Sequence, residues 1–150
     1  MRVLVQRSRH SSVSVNNKIV GEIDKGLVLF VGFTHNDTVK EIDYLINKIV
    51  NLRIFDDENG VMNKSVLDTN GSVLSISQFT LYADTKKGHR PSYLESLTKE
   101  EATILYDTFN ERLSDKIHLE KGIFHADMLV NINNDGPVTI MLDSANYNIK

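Results

Sequence analysis

The stretch GLVLFVGF, Gly26 to Phe33, is an unbroken apolar run bounded by glycines. It is too short for an independent helix and rich in valine and phenylalanine, which predicts a strand covered on both faces and placed centrally in a sheet. The residues before it suit that sheet. Val3 and Val5, then Val13 and Val15, alternate with polar residues, and NNK at 16–18 supplies a turn before IVGEI, so this region reads as antiparallel strands. The residues after it supply a cover. Thr38 and Glu41 have capping-box spacing, and Ile42, Leu45, Ile46 and Ile49 then recur on one helical face. Thr98 and Glu101 repeat the arrangement ahead of Ala102, Leu105, Tyr106, Phe109 and Leu113. Beyond Gly122, Met128, Val130 and Ile132 run at period two, as do Val138, Ile140 and Leu142, which predicts two adjacent strands. The sum is an α/β fold: a single compact layered domain over residues 1–150, with a curved, barrel-like mixed sheet and two main helices packed on it.

Composition removes several classes of function. With 150 residues and 41% hydrophobic content, the chain suits one sizeable core. The formal charge of −3 gives no global attraction to nucleic acid, so a polyanion would have to meet a local basic patch. There is no cysteine, which excludes disulfides, thiolate nucleophiles and cysteine-ligated zinc. MRVLVQRSRHSSV never forms the apolar core of a signal peptide, and no run is long enough to span a bilayer, so a cytoplasmic location without membrane contact is expected.

Four polar stretches carry the chemistry. In SVLSISQFTLYAD, Ser72 to Asp84, Leu74 and Ile76 mark one strand face but Phe79 and Leu81 the other, so a bulge or bend falls near Ser77 and Gln78. Such a bend can aim backbone N–H groups and the hydroxyls of Ser77 and Thr80 into one pocket; the plainer alternative is a central strand with locally bonded serines. DTKKGHRPSY places Lys86, Lys87, His89 and Arg90 around a glycine, a solvated turn or a phosphate contact. Arg7 and Arg9 point the same way in a strand, so one groove can join the two basic patches. DDENG at 56–60 lacks the ligand rhythm of a calcium loop and reads as a turn. NNDGPVT, Asn133 to Thr139, looks like a hairpin turn, yet Pro137 cannot donate the hydrogen bond expected of a returning strand. It is a plain loop or a backbone segment held for a purpose.

No G-x-S-x-G elbow, Walker loop or H-E-x-x-H occurs, and the five histidines lack ligand spacing, so neither metal nor cofactor is expected. A Ser77–His125–Asp127 triad is disfavoured, because residues two apart on a strand reach toward different neighbours.

The segments MRVLVQRSRHSSVSV, GEIDKGLVLFVGF, KIVNLRIFDDENGVMN, SQFTLYADTKKGHRPSY and NDGPVTIMLDS resemble, in order and nearly end to end, the D-aminoacyl-tRNA deacylase family. The resemblance implies hydrolysis of the ester between a D-amino acid and the terminal ribose of tRNA. It implies a homodimer with active sites at the subunit interface, where a cis Gly136–Pro137 motif from one subunit enters the pocket of the other. There its carbonyl oxygens receive the substrate's α-ammonium group, and an L side chain collides with the backbone. Glycyl-tRNA, lacking that side chain, is expected to be susceptible too. Ser77, Gln78, Phe79 and Thr80 would line the catalytic pocket, with Phe79 near the terminal adenosine and Gln78 and Thr80 around the ester. Arg7 would steady the Gly-Pro motif, Phe124 and Met128 would form pocket walls, and Lys86, Lys87 and Arg90 would meet acceptor-stem phosphates. With no strong side-chain base present, the ribose 2′-hydroxyl would help activate water; covalent attack by Thr80 is the competing mechanism. DNA is not expected as a partner. A noncatalytic RNA-binding module and a general small-ester hydrolase are the rival readings. The chain departs from the family at His125, where glycine is usual, at His89, where arginine or asparagine is common, and at Tyr93, where phenylalanine is. A positive φ at 125 would strain the histidine.

Overall fold

The structure is a computed structural model and describes residues 1–149. The chain begins with β1 (Arg2–Val15), turns at Asn16 and Asn17, and returns as β2 (Lys18–Ile23). Both asparagines have positive φ, which the tight hairpin turn requires and which asparagine tolerates better than most residues. The apolar run is β3 (Gly26–Gly32), antiparallel to β1. Helix α1 (Val39–Asn51) opens with a complete capping box between Thr38 and Glu41, and buries Ile42, Leu45, Ile46 and Ile49. Each buried aliphatic side chain of this kind contributes about 1.5–3 kcal/mol. The DDENG turn joins the short strands β4 (Phe55–Asp56) and β5 (Met62–Lys64), where Asp57 Oδ1 accepts from the N–H groups of Asn59 and Val61.

Strand β6 (Ser72–Ser77) lies parallel to β3, helix α2 (Lys99–Ser114) follows, and β7 (Leu119–Lys121) lies parallel to β6. The last strand, β8 (Leu129–Asp143), runs antiparallel along β1 from Ser14 to Arg2. One edge of β1 is therefore shared by β3 and then β2, and the other belongs to β8. The sheet curls nearly shut. A Cβ on Gly21 of β2 would come within 2.9 Å of the Lys121 carbonyl oxygen on β7, so the absence of a side chain permits that approach.

Two cores result, one on each face of the sheet. Val3, Val5, Leu27, Leu29 and Val31 pack with the buried faces of α1 and α2. Val13, Ile23, Val28, Leu74 and Ile76 fill the inside of the curl, joined by Phe30, Met128, Val130 and Ile132. The expected double coverage of β3 is present, since alternate residues serve alternate cores.

The structure corrects the expectation of two adjacent strands after Gly122. The two alternating runs are the ends of one strand: Val130 and Ile132 face the inner core, whereas Val138, Ile140 and Leu142 face the helices. The change of face occurs where the β1–β8 register breaks, between Gln6 and Ser11. Gln6 pairs with Thr139 and Ser8 with Asn134, so Asp135 to Val138 stand opposite Arg7 alone. The NDGPV segment is thus a loop extruded from a continuing strand, and a hairpin is absent because both flanks keep β1 as their partner. Met128 precedes the strand rather than belonging to it. Among the described residues, no helix is long and apolar enough to cross a membrane.

Candidate active site

Strand β6 ends where its apolar face was expected to change sides. The Gln78 N–H donates to the Val31 carbonyl at 2.7 Å, after which the chain enters a 3-10 turn over Phe79–Tyr82. The bend is therefore a helical turn and not a bulge within a strand. It packs on the end of β3, where a Cβ on Gly32 would fall 2.8 Å from the Gln78 carbonyl oxygen. Leu81 N–H bonds back to Gln78 O and Ala83 N–H to Thr80 O. The N–H groups of Phe79 and Thr80, which open the turn, have no acceptor among the described residues.

A pocket of about 440 Å³ opens beside them, lined by Ser77, Gln78 and Phe79 on one side and by Phe124, His125, Asp127 and Met128 on another. The chain thus brings together five of the residues to which the family resemblance assigns a site role, Ser77, Gln78, Phe79, Phe124 and Met128. Thr80 is not on the pocket wall; its hydroxyl accepts from Gln78 Nε2 at 2.5 Å. The far wall is tied to the core by aromatic contacts. Phe124 lies 5.5 Å from Tyr106, whose hydroxyl donates to the Ser75 carbonyl, and the His125 ring stacks 6.4 Å beyond Phe124. Burial, opposed by the Ser75 and Asn110 contacts, pushes the Tyr106 hydroxyl above its ordinary pKa and keeps it neutral. Gly122 lets Met128 approach, because a Cβ there would meet the Met128 sulfur at 2.4 Å. His125 has φ of 65°, the left-handed conformation in which a histidine is strained. No hydrogen bond or ion pair among the described residues links His125, Asp127 and Ser77, so the triad does not form.

Arg2 is a contributor that the sequence reading missed. Its Nη1 donates to the Leu81 carbonyl at 2.9 Å, its Nε donates to Asp143 at 2.8 Å, and its guanidinium lies 4.5 Å from the Tyr82 ring centroid. It therefore fastens the turn to the first and last strands. The Tyr82 hydroxyl is buried without a partner, and its pKa is raised by burial and then by Asp37 and Asp143. The alternation of β1 placed Arg2 on the partly exposed face, but nothing local signalled Leu81 as its acceptor.

The other conspicuous backbone element stands apart from this pocket. The Gly136–Pro137 peptide bond is cis, both residues are exposed, and neither lines the pocket of its own chain. The loop is braced from behind. Arg7, only 8% exposed, donates from Nε to Asp135 O at 3.2 Å and from Nη1 to Ile54 O at 2.8 Å. Asn134 Nδ2 bridges Arg7 O and Val138 O. Arg7 and Arg9 both turn toward the Asp135 carboxylate, at 3.5 and 3.6 Å, while Lys86 lies 3.9 Å from Asp84. Lys86, Lys87 and Arg90 lie exposed on a separate loop, closed at its neck by paired hydrogen bonds between Asp84 and Ser92. Among the described residues, no group of three or more acidic, histidine or cysteine side chains is arranged to hold a metal ion.

The architecture matches solved structures along nearly its whole length. One, a c-Myc DNA unwinding element binding protein, aligns with a TM-score of 0.91 at 38% identity, covering 95% of this chain and 98% of the other. Another, a probable eukaryotic D-amino acid tRNA deacylase, aligns with a TM-score of 0.79 at 17% identity, covering 94% and 97%, and attests the fold alone. The fold these neighbours share is the α/β layer described above, a curled sheet with two helices packed on it.

Sequence comparison makes the assignment specific. A model of the D-Tyr-tRNA(Tyr) deacylase family matches residues 4–143, and the chain belongs to that family. D-aminoacyl-tRNA deacylases of Clostridium novyi (strain NT) and Brevibacillus brevis (strain 47 / JCM 6285 / NBRC 100599) are each 52% identical to it over 145 residues. Those alignments cover 96% of this chain, with 97% and 100% of the respective relatives.

Proposed function

We propose that the protein hydrolyses the ester bond of D-aminoacyl-tRNA, and of glycyl-tRNA, as a cytoplasmic homodimer that removes wrongly handed amino acids from tRNA. The observation that carries this reading is the pair of unpartnered amides at Phe79 and Thr80, beside a pocket in a chain of this family. Ester hydrolysis passes through a tetrahedral oxyanion, and a fixed N–H donor aimed at it is worth about 2.7–4 kcal/mol in other hydrolases. These two amides are available for that role.

The Gly136–Pro137 loop of a partner subunit completes the pocket in this reading. Its exposure and its absence from the lining of its own pocket suit a segment whose target lies on a second copy. Main-chain carbonyls there receive the α-ammonium group and exclude an L side chain, so selectivity comes from exclusion and is independent of the identity of a D side chain. Glycine passes the same filter. The bonded pair Gln78 and Thr80 positions the ester, Phe79 lies under the terminal adenosine, and the ribose 2′-hydroxyl assists the attacking water. Thr80 has no adjacent base and serves by positioning rather than as a nucleophile.

The deciding assay is release of tyrosine from D-tyrosyl-tRNA and L-tyrosyl-tRNA without added metal. Release from the D form alone is expected; equal release from both, or from neither, defeats the proposal. The DNA unwinding element after which one solved relative is named favours a second reading, duplex DNA binding. A DNA duplex that leaves D-tyrosyl-tRNA hydrolysis uninhibited is the expected result, and competition by the duplex would favour that second reading.

A further inference from the structure

Phe79 and Tyr93 form an aromatic pair at the mouth of the pocket, with centroids 5.0 Å apart and an edge-to-face angle of 68°. Both rings are open to water, Phe79 at 55% and Tyr93 at 41% exposure, and together they form one aromatic patch at the pocket lip. The segment that carries Tyr93 is firmly anchored. Asp84 and Ser92 pair on its N-terminal side, Ser96 Oγ donates to Phe79 O at 3.0 Å, Thr34 Oγ1 donates to Glu95 O, and Leu97 N–H donates to Phe33 O. Tyr93 is thereby held beside Phe79, and does not swing on a free loop.

The segment immediately before it carries charge. The loop closed by Asp84 and Ser92 projects Lys86, Lys87 and Arg90, all exposed, around Gly88 at φ of 67° in open space. A pocket lip with one ring, a second exposed ring beside it and a basic loop beyond is the arrangement used to hold single-stranded nucleic acid, with bases on aromatic faces and phosphates on cations.

Building on the deacylase reading, in which Phe79 serves the terminal adenosine, we propose that Tyr93 is the stacking platform for the nucleobase immediately preceding that adenosine. The single-stranded end of tRNA then leaves the pocket across Phe79, crosses Tyr93 and meets the Lys86–Arg90 loop. The ring face supplies the binding, so phenylalanine substitutes for tyrosine. Recognition at this point adds affinity for RNA and is blind to the amino acid.

The test compares D-tyrosyl-tRNA with the same substrate made abasic at the penultimate nucleotide, using wild type, Tyr93→Ala and Tyr93→Phe. Removing the base is expected to raise the wild-type KM by about tenfold or more with kcat nearly unchanged, the scale of one lost base–aromatic stack. Tyr93→Ala should raise KM on the intact substrate by the same factor and lose nothing further on the abasic one, and Tyr93→Phe should behave as wild type. An unchanged wild-type KM on the abasic substrate overturns the proposal even if a variant fails to fold. Equal losses by Tyr93→Ala on both substrates also overturn it, because the ring would then only buttress Phe79. If wild type leaves intact D-tyrosyl-tRNA unhydrolysed, the deacylase reading itself falls.

Discussion

The turn at Phe79–Tyr82 and the loop at Asp135–Val138 are both irregular backbone, but they are held in opposite ways. The turn is enclosed by its own chain, with β3 beneath it, Arg2 behind it and Ser96 on its flank, and it borders a pocket of that chain. The loop is anchored at its base by Arg7 and Asn134 and presents Gly136 and Pro137 to solvent. Under the proposed function the two have different roles: the turn serves the reacting ester, and the exposed loop serves a partner subunit.

The largest test of that contrast is Gly136→Ala. A Cβ there would lie 2.8 Å from a Val138 methyl, 2.9 Å from the Val138 nitrogen and 3.1 Å from Arg7 Nη2, at φ of 115°. The loop must shift, and a displacement on the order of 1 Å at a positioning element costs about a hundredfold in rate. Deacylation of D-tyrosyl-tRNA should fall by about that factor while circular dichroism stays native; full activity would show that the loop is not used. Arg7→Ala should follow, lowering stability by about 2 kcal/mol because it strands the Ile54 and Asp135 carbonyls, with activity falling in step. Urea unfolding measures the first effect and the deacylation rate the second.

On the turn, Thr80→Ala separates positioning from covalent attack. Loss of one hydrogen bond to Gln78 should reduce kcat by no more than about tenfold, whereas removal of a nucleophile would abolish turnover. His125→Gly should raise stability by about 1 kcal/mol, since it relieves a left-handed histidine, and calorimetry would register a higher Tm. A lower Tm would mean that stacking on Phe124 outweighs the strain.

The smallest expected effect is electrostatic. Burial raises the Asp143 pKa, but the hydrogen bonds from Arg2 and the Ala145 N–H outweigh it and hold the carboxyl below its ordinary 3.8. The folded carboxyl is the stronger acid, so its contribution is full above the unfolded value and disappears as pH falls through the folded one. Asp143→Asn should therefore cost less than about 1 kcal/mol at neutral pH, and the difference from wild type should vanish in acid.

Much of this was written locally. The Asn16–Asn17 turn, both helix starts and the double coverage of Gly26–Gly32 follow from turn chemistry, capping and apolar spacing, each of which acts over a few residues. A bend near Ser77 and Gln78 was likewise legible, because the apolar face reverses there. The reversal left a plain central strand as an alternative, however, and the pocket beside it came only from the family resemblance. Arg2 was not, since its acceptor lies 79 residues away in sequence.

The sequence by itself determined which faces are apolar, where the helices begin and which unusual residues interrupt a strand, because those are short-range consequences of side-chain size and backbone freedom. Only the tertiary structure decided that the two runs after Gly122 are one strand, that its halves serve different cores, and that Gly136 and Pro137 stand away from the pocket of their own chain. The reason is physical: alternation repeats every two residues whichever strand is the partner, so the partner is selected by hydrogen bonds closed across the fold. Here β1 offers one continuous edge, and β8 follows it past the loop.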